Sequence, residues 1–424
     1  MPTRAEVSYF GAGPAPLPTH VLEAGAKAFV NFEDSGLSLA EISHRSPTAT
    51  KILADTKQAL ISLLDIPDNY EVLFMHGGGS AEFSAVVFNM VAVWIEKRRR
   101  MAEKEFGDDQ GAILRKVKQD VQHDMQLDYL VTGSWSLKAS QEAANLLEPL
   151  TPNAINVATD ARDSNGKFGS IPSDEKWSLS SSKRSAFVYY CDNETVDGVE
   201  FPGFPSGVEA QPGEEERLVI ADMSSNFLSR PVDVQKHAVI FGGAQKNIGI
   251  TDITLLIVRK DLLTTVPTPS FLHQVGMFSP PVVLNWSVVA KNNSLYNTMP
   301  IFSIWIAGEV MRSLLATYGI TKLKGQEGFS DAKARTIYQM IDWYPQVFQP
   351  VVELNARSRM NICFRVKDPE TEKEFLDGAK KLNLLGLNGH RSVGGVRASN
   401  YNAVPMQNVR KLTTYMEEFA DRNP

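Results

Sequence analysis

Apolar positions in the middle of the chain fall in short unbroken runs rather than in alternation. The runs 186–191 (AFVYYC), 217–222 (RLVIAD), 238–242 (AVIFG) and 253–258 (ITLLIV) are apolar almost throughout. Strands buried on both faces read this way, so the pattern predicts a parallel sheet covered by helices. Each run ends in polar or glycine-rich residues, which is where open α/β sheets hold ligands. The segment 60–75 ends in another strand-like run, VLFM, followed by Gly77-Gly78-Gly79-Ser80. Phe83, Val86, Val87, Met90 and Val91 then recur at helical spacing and predict a helix from about Ala81.

The stretch 96–124 departs from this pattern. Lys97, Arg98, Arg99, Arg100, Glu103, Lys104, Glu105, Asp108, Asp109, Arg115, Lys116 and Lys118 mix both signs. Such mixing marks a solvated face more often than a patch for an anionic partner. It predicts a solvent-exposed helical excursion with a break near 107–111. From about Leu315 the pattern changes again: helical stretches flank a strand over 360–366 (MNICFRV), and the chain closes on a helix over 406–422. A smaller C-terminal α/β domain follows from that change.

Composition narrows the class without naming a chemistry. The 424 residues carry 43 basic and 49 acidic side chains, a net charge of −6, with 43% hydrophobic residues. That balance fits a globular protein of two or three domains and lacks the basic footprint of a nucleic-acid binder. Two cysteines, Cys191 and Cys363, cannot build a disulfide framework, so a reducing, cytoplasmic setting is expected. The first residues show no secretory pattern. The longest apolar stretch, near 85–95, is about half of the ~20 residues that a bilayer requires, so no membrane association is expected.

Candidate chemistry gathers at the ends of the apolar runs. Asp222 closes one run, and Lys246 follows the next in Gly242-Gly243-Ala244-Gln245-Lys246-Asn247. An acid and a lysine on one sheet edge suit pyridoxal phosphate: the amine forms the Schiff base and the carboxylate keeps the pyridine nitrogen protonated. On spacing alone, a helix N-cap and a surface lysine account for the pair equally well. Gly77–Ser80 lets the backbone approach a phosphate at a helix start, with the Ser80 hydroxyl as a further donor, or is an ordinary glycine-rich turn. It fits neither the Walker A loop nor the G-x-G-x-x-G fingerprint. Trp135, after the strand-like 129–131, suits stacking on a planar cofactor or a place in the core. Thr195 suits a ring hydroxyl or a turn. His44-Arg45, His390-Arg391 and Arg397 suit a substrate with more than one anionic group, since guanidinium forks bind carboxylate and phosphate. No metal-ligand spacing and no G-x-S-x-G elbow occur, and both cysteines sit in apolar runs where inert thiols are the rule.

Together these blocks resemble the phosphoserine aminotransferases, within the class V, fold-type I pyridoxal-phosphate enzymes. The likeness runs from Phe10-Gly11-Ala12-Gly13-Pro14 to Tyr401-Asn402-Ala403-Val404-Pro405 and includes Glu41-Ile42-Ser43-His44-Arg45, His76-Gly77-Gly78-Gly79, Ala221-Asp222, Gly243-Ala244-Gln245-Lys246-Asn247, Tyr296-Asn297-Thr298 and Gly389-His390-Arg391 through Arg397. It implies an α/β fold: a large domain over 17–315 with a mostly parallel seven-stranded sheet, and a small domain formed by 1–16 with 316–424. The stretch 96–124 reads as a charged insertion in the large domain. The resemblance further implies that Lys246 carries the cofactor and shuttles the proton, Asp222 pairs with the pyridine nitrogen, Trp135 stacks and Thr195 meets the phenolic oxygen. Gly79, Ser80 and Gln245 would hold the cofactor phosphate, with Asn297 and Thr298 reaching it from a second subunit of a homodimer. His44 and Arg45 of the partner, with His390 and Arg391, would hold the substrate phosphate, and Arg397 the α-carboxylate. The reaction implied is transamination between O-phospho-L-serine and 2-oxoglutarate, giving 3-phosphooxypyruvate and L-glutamate. Ser80 and Ala12 depart from residues common in bacterial members, leaving backbone amides to serve there. Other class V reactions, such as serine–glyoxylate transamination, are the alternative; desulfuration would need a mobile cysteine.

Overall fold

The computed structural model describes residues 2–423. The apolar runs form one seven-stranded sheet built from β2 (Tyr70–Met75), β3 (Gln126–Val131), β4 (Ile155–Asp160), β5 (Ser185–Cys191), β6 (Val219–Asp222), β7 (Val239–Gly243) and β8 (Thr254–Arg259), in the order β2-β8-β7-β6-β5-β3-β4. Only β8 runs against its neighbours, pairing antiparallel with both β2 and β7. The short connection from β7 back into β8 therefore turns at the edge where the parallel strands end, and Lys246 lies in it.

Both faces of this sheet are covered, as unbroken apolar strands require. Leu73, Tyr129, Phe187, Tyr189 and Phe241 pack beneath the long helix Gly78–Phe106. On the other face, Phe74, Leu130, Tyr190 and Ile257 meet the helices Pro47–Leu64 and Ile301–Tyr318. Helix 78–106 is long and apolar enough to cross a bilayer by length and composition, yet 67% of its apolar window is buried inside the protein. It starts at Gly78, three residues before the position that the hydrophobic spacing indicates, because the glycines themselves form the first turn.

The charged stretch 96–124 corrects the sequence reading of a solvated excursion. It comprises the last turns of helix 78–106 and a second helix, Gln110–His123, with the break at 107–109. Ala102, Ile113, Val117 and Val121 are buried in the core beside the sheet. Most of the charges face outward, while Glu96 and Asp120 are themselves buried and pair with Arg99 and Arg100 at 2.8 Å and with Lys116, respectively. Mixed charges masked a helical stripe whose apolar members lie three to four residues apart.

A separate core forms from the far parts of the chain. β10 (Asn361–Val366) pairs antiparallel with β9 (Phe348–Pro350) and β12 (Val396–Ser399), and β1 (Ser8–Tyr9) pairs with β11 (Leu384–Leu385). Phe10, Ile337, Phe364, Phe375, Leu412 and Phe419 fill the space between these strands and the helices Lys322–Trp343, Pro369–Lys381 and Met406–Arg422.

Candidate active site

Asp222 is the last residue of β6, flanked by Cys191 of β5 and Phe241 of β7. Its Oδ1 accepts the Ser224 N–H at 2.9 Å and the Ser224 hydroxyl at 2.6 Å, and its Oδ2 faces the Tyr189 hydroxyl at 3.4 Å. Burial raises this carboxyl above the usual range, while the Ser224 bonds and the nearby Lys246 pull it back. A cation arriving beside Oδ2 would restore full ionisation. Lys246 donates its Nζ proton to Thr195 Oγ1 at 2.7 Å. Burial lowers the Lys246 amine to about 8, against the opposing pull of Asp222. An amine tuned in this way is a usable nucleophile near neutral pH.

Between these two groups lies a cavity of about 180 Å³, walled by residues 77–80, Phe83, Trp135, Cys191, Thr195, Gln245 and others. Helix 78–106 opens at its rim. Its N-cap, Gly77, adopts a φ of 90° and offers no side-chain cap, so the first-turn amides and the helix dipole are free to hold an anion. Trp135, in the first turn of the helix Ser134–Leu147 after β3, lies 6.4 Å from Phe83 between ring centroids. An outer cavity of about 500 Å³ shares Trp135, Thr195, Gln245 and Lys246 and adds Ala12, Gly13, His390 and Arg397. Arg397, on β12, donates from Nη1 to the Thr195 carbonyl at 3.0 Å, and its buried Nε has no partner. One edge of its guanidinium thus remains for a carboxylate. Burial, reinforced by Arg397 and other nearby cations, lowers the His390 imidazole; a bound dianion would reverse that effect.

Not every sequence candidate arrives here. Arg391 stands exposed on the turn after His390, outside both cavities. His44 and Thr298 line a separate groove of about 950 Å³ that opens beside Gly77 and Gly78. Asn297 is exposed, its Nδ2 3.4 Å from His76 Nε2, and Arg45 is exposed next to His44. Within one chain these residues do not reach Lys246.

The family model described as "Aminotransferase class-V" matches residues 7–107 and 112–412. The chain belongs to the class-V aminotransferases. This aminotransferase is 39% identical over 424 residues to the phosphoserine aminotransferase of Saccharomyces cerevisiae, covering 99% of each chain. To that of Drosophila melanogaster it is 38% identical, covering 98% of each. The structure of the phosphoserine aminotransferase from Bacillus circulans subsp. alkalophilus superposes with a TM-score of 0.80 at 33% identity, covering 98% of each chain. The pyridoxal-phosphate-bound enzyme of Trichomonas vaginalis gives 0.79 at 33% identity, covering 97% of this chain and 99% of that one. Between residues 7 and 412 the family match leaves out 108–111, at the break between the two charged helices.

The residues of this aminotransferase fit pyridoxal phosphate on their own chemistry. A buried amine, a buried carboxylate, an uncapped helix N-terminus and an indole all border one cavity. Sequence reasoning gave no role to several groups that build it. Ser224 follows Asp222 by two positions, a local signal for an Asp–Ser bond that spacing alone could have supplied. Glu194 and Asp197, beside Thr195, gave no such signal. Both lie buried and bind backbone amides of helix 134–147, whose sequence is about sixty positions away. Burial, with Asp197 adding, pushes Glu194 up to about 8, opposed by those amides.

Proposed function

We propose that this chain uses pyridoxal phosphate to transfer an amino group reversibly between O-phospho-L-serine and 2-oxoglutarate, forming 3-phosphooxypyruvate and L-glutamate in the service of L-serine synthesis. The observation that carries the reading is the buried Lys246 amine facing Asp222, with Arg397 and His390 at the mouth of the same space. Pyridoxal phosphate, when bound, supplies a conjugated ring able to delocalise the electron pair left at the substrate α-carbon. Asp222 holds a proton at the ring nitrogen, and Ser224 and Tyr189 fix the carboxylate that does so. The amides at Gly79 and Ser80, with Gln245, hold the cofactor phosphate at the helix start. Thr195 orients the Lys246 amine through its hydroxyl. Lys246 Nζ would take the α-proton of the amino donor and deliver it to the cofactor carbon that bears the nitrogen, and would move a proton the opposite way for the amino acceptor. Arg397 grips the α-carboxylate, and His390 faces the distal anion.

His44, Arg45, Asn297 and Thr298 have a role here as contributions from a second subunit. A homodimer with shared sites is part of the proposal, and the groove beside Gly77, with exposed Phe29 and Thr298 at its walls, suits such a partner. The free thiols of Cys191 and Cys363 suit a reducing, cytoplasmic location, which cell fractionation checks.

Comparing amino donors tests the reading. Phosphoserine is expected to be turned over far faster than serine, and equal rates would contradict a phosphate clamp and favour a neighbouring class V reaction. Lys246→Ala is expected to lose at least the roughly 10²–10⁴-fold that a positioned proton carrier contributes. Mixing inactive Lys246→Ala and Arg45→Ala chains restores activity only if sites are shared between subunits.

A further inference from the structure

Helix 134–147, which presents Trp135 to the cavity, has glycine at its N-cap. Serine, aspartate or asparagine is the usual choice there, because a side-chain oxygen must satisfy first-turn amides. Backbone conformation does not explain the glycine: Gly133 has a φ of −171°, extended geometry that any residue adopts. Space explains it. A Cβ at Gly133 would stand 2.3 Å from the carboxyl carbon of Glu194 and 2.7 Å from its Cβ. Glu194 occupies the place of the missing capping side chain.

It also performs that side chain's work. Glu194 Oε2 accepts the Trp135 N–H at 2.8 Å and Oε1 accepts the Ser136 N–H at 2.9 Å. Asp197 accepts the Ser134 N–H at 2.6 Å. The Ser136 hydroxyl accepts from Thr132 and Gly133 at 3.0 and 3.1 Å. The amides at this helix start are thereby satisfied, in contrast to the bare start of helix 78–106 across the cavity.

The cap comes from a segment with other duties. Thr195, the next residue, meets Lys246 Nζ through its hydroxyl and Arg397 through its carbonyl. One buried carboxylate thus fastens the indole on one wall to the hydroxyl that orients the lysine and to the carbonyl that orients the arginine. An ordinary N-cap at position 133 would stabilise helix 134–147 equally well, but would leave the two walls unconnected.

We propose that Glu194 is a positioning residue: its carboxylate replaces the side-chain cap at Gly133 and so fixes Trp135 and Thr195 relative to Lys246. The inference rests on the cofactor seat argued above. It also explains why two carboxylates stand beside a site meant for anions. They occupy the second helix N-terminus and leave the start of helix 78–106 as the phosphate seat.

Glu194→Gln keeps the shape but turns an N–H donor toward one of the two amides, so one bond is lost. In the full-length chain, stripped of cofactor and titrated with pyridoxal phosphate above pH 8, where Glu194 is ionised, the dissociation constant is expected to rise about tenfold, the loss of one charge-assisted bond. Amide exchange at Trp135 and Ser136 is expected to accelerate in the cofactor-free chain. Gly133→Ala, which displaces Glu194 from the other side of the contact, is expected to reproduce both changes. Ser136→Ala removes the hydroxyl that accepts from Thr132 and Gly133 at the same helix end without touching the link from Glu194 to Thr195, and is expected to leave cofactor affinity near that of the parent. Unchanged affinity in Glu194→Gln, or an equal loss in Ser136→Ala, would overturn the proposal and leave Glu194 a structural cap. Failure of the parent chain itself to bind pyridoxal phosphate would instead overturn the reading of the seat.

Discussion

Lys246 owes its chemistry to where it lies. A solvent-exposed lysine amine is almost wholly protonated at neutral pH, whereas burial brings this one to about 8. Capture of pyridoxal phosphate by the cofactor-free chain needs the neutral amine. Its rate is therefore expected to rise with pH through a midpoint near 8, two units or more below the ordinary 10.5; stopped-flow absorbance checks this. The sign for stability follows from the same shift. Between about 8 and 10.5 the unfolded chain binds more protons than the folded one, so the cofactor-free protein gains stability across that window as pH rises. Below about 8 the cost of the buried ammonium is fully present. Asp222 and Lys246 stood out in the sequence because one closes an apolar run and the other follows the next, but spacing alone left a cap and a surface lysine equally good, and family likeness supplied the rest. Glu194 was not legible, because its partners are backbone amides that only the fold brings near.

At the scale of elements, strands read more easily than helices. The runs 186–191, 238–242 and 253–258 fall within a residue of β5, β7 and β8 at each end, since burial on both faces leaves no polar position to blur them. The reversal of β8 left no trace in the pattern: an antiparallel strand buried on both faces is as apolar as a parallel one. The last turns of helix 78–106 and the helix 110–123 show the opposite problem, because long charged side chains on an outer face hide the buried stripe. Ile113, fully buried, separates the two accounts. Ile113→Ala is expected to cost about 2–5 kcal/mol in chemical unfolding, whereas a solvated excursion would lose no more than about 0.5 kcal/mol.

Across the whole molecule, the turn after β5 joins the two cores. Asn193 donates to Ser225 Oγ at 2.6 Å and to Asn361 Oδ1 at 2.8 Å, and Ser358 donates to Asn193. Glu200 accepts from Arg359 at 2.6 Å, while Arg230 grips both oxygens of Asp192 at 2.7 and 2.8 Å and approaches Glu200. Removing Arg230 strands the buried carboxylate of Asp192, while Glu200 keeps Arg359. Arg230→Met is expected to lower stability by about 3–5 kcal/mol, with partial recovery when Asp192→Asn is added; denaturant titration measures both. None of these contacts was visible in local pattern. Association of the first residues with the C-terminal core likewise entered the sequence reading only through family likeness, since β1 pairs with β11 from the opposite end of the chain.

The two thiols have a use that their inertness conceals. Cys191 ends a strand of the large sheet and Cys363 lies in β10 of the other core, and burial holds both above the ordinary thiol range, Cys363 at about 12. Neither reacts with an alkylating agent until its own surroundings open. A pulse of iodoacetamide followed by peptide mass analysis therefore reads the opening of each core separately. Equal labelling rates at the two positions would mean that the molecule opens as one cooperative unit. Faster labelling at Cys363 would mean that the smaller layer lifts away while the cofactor seat stays closed.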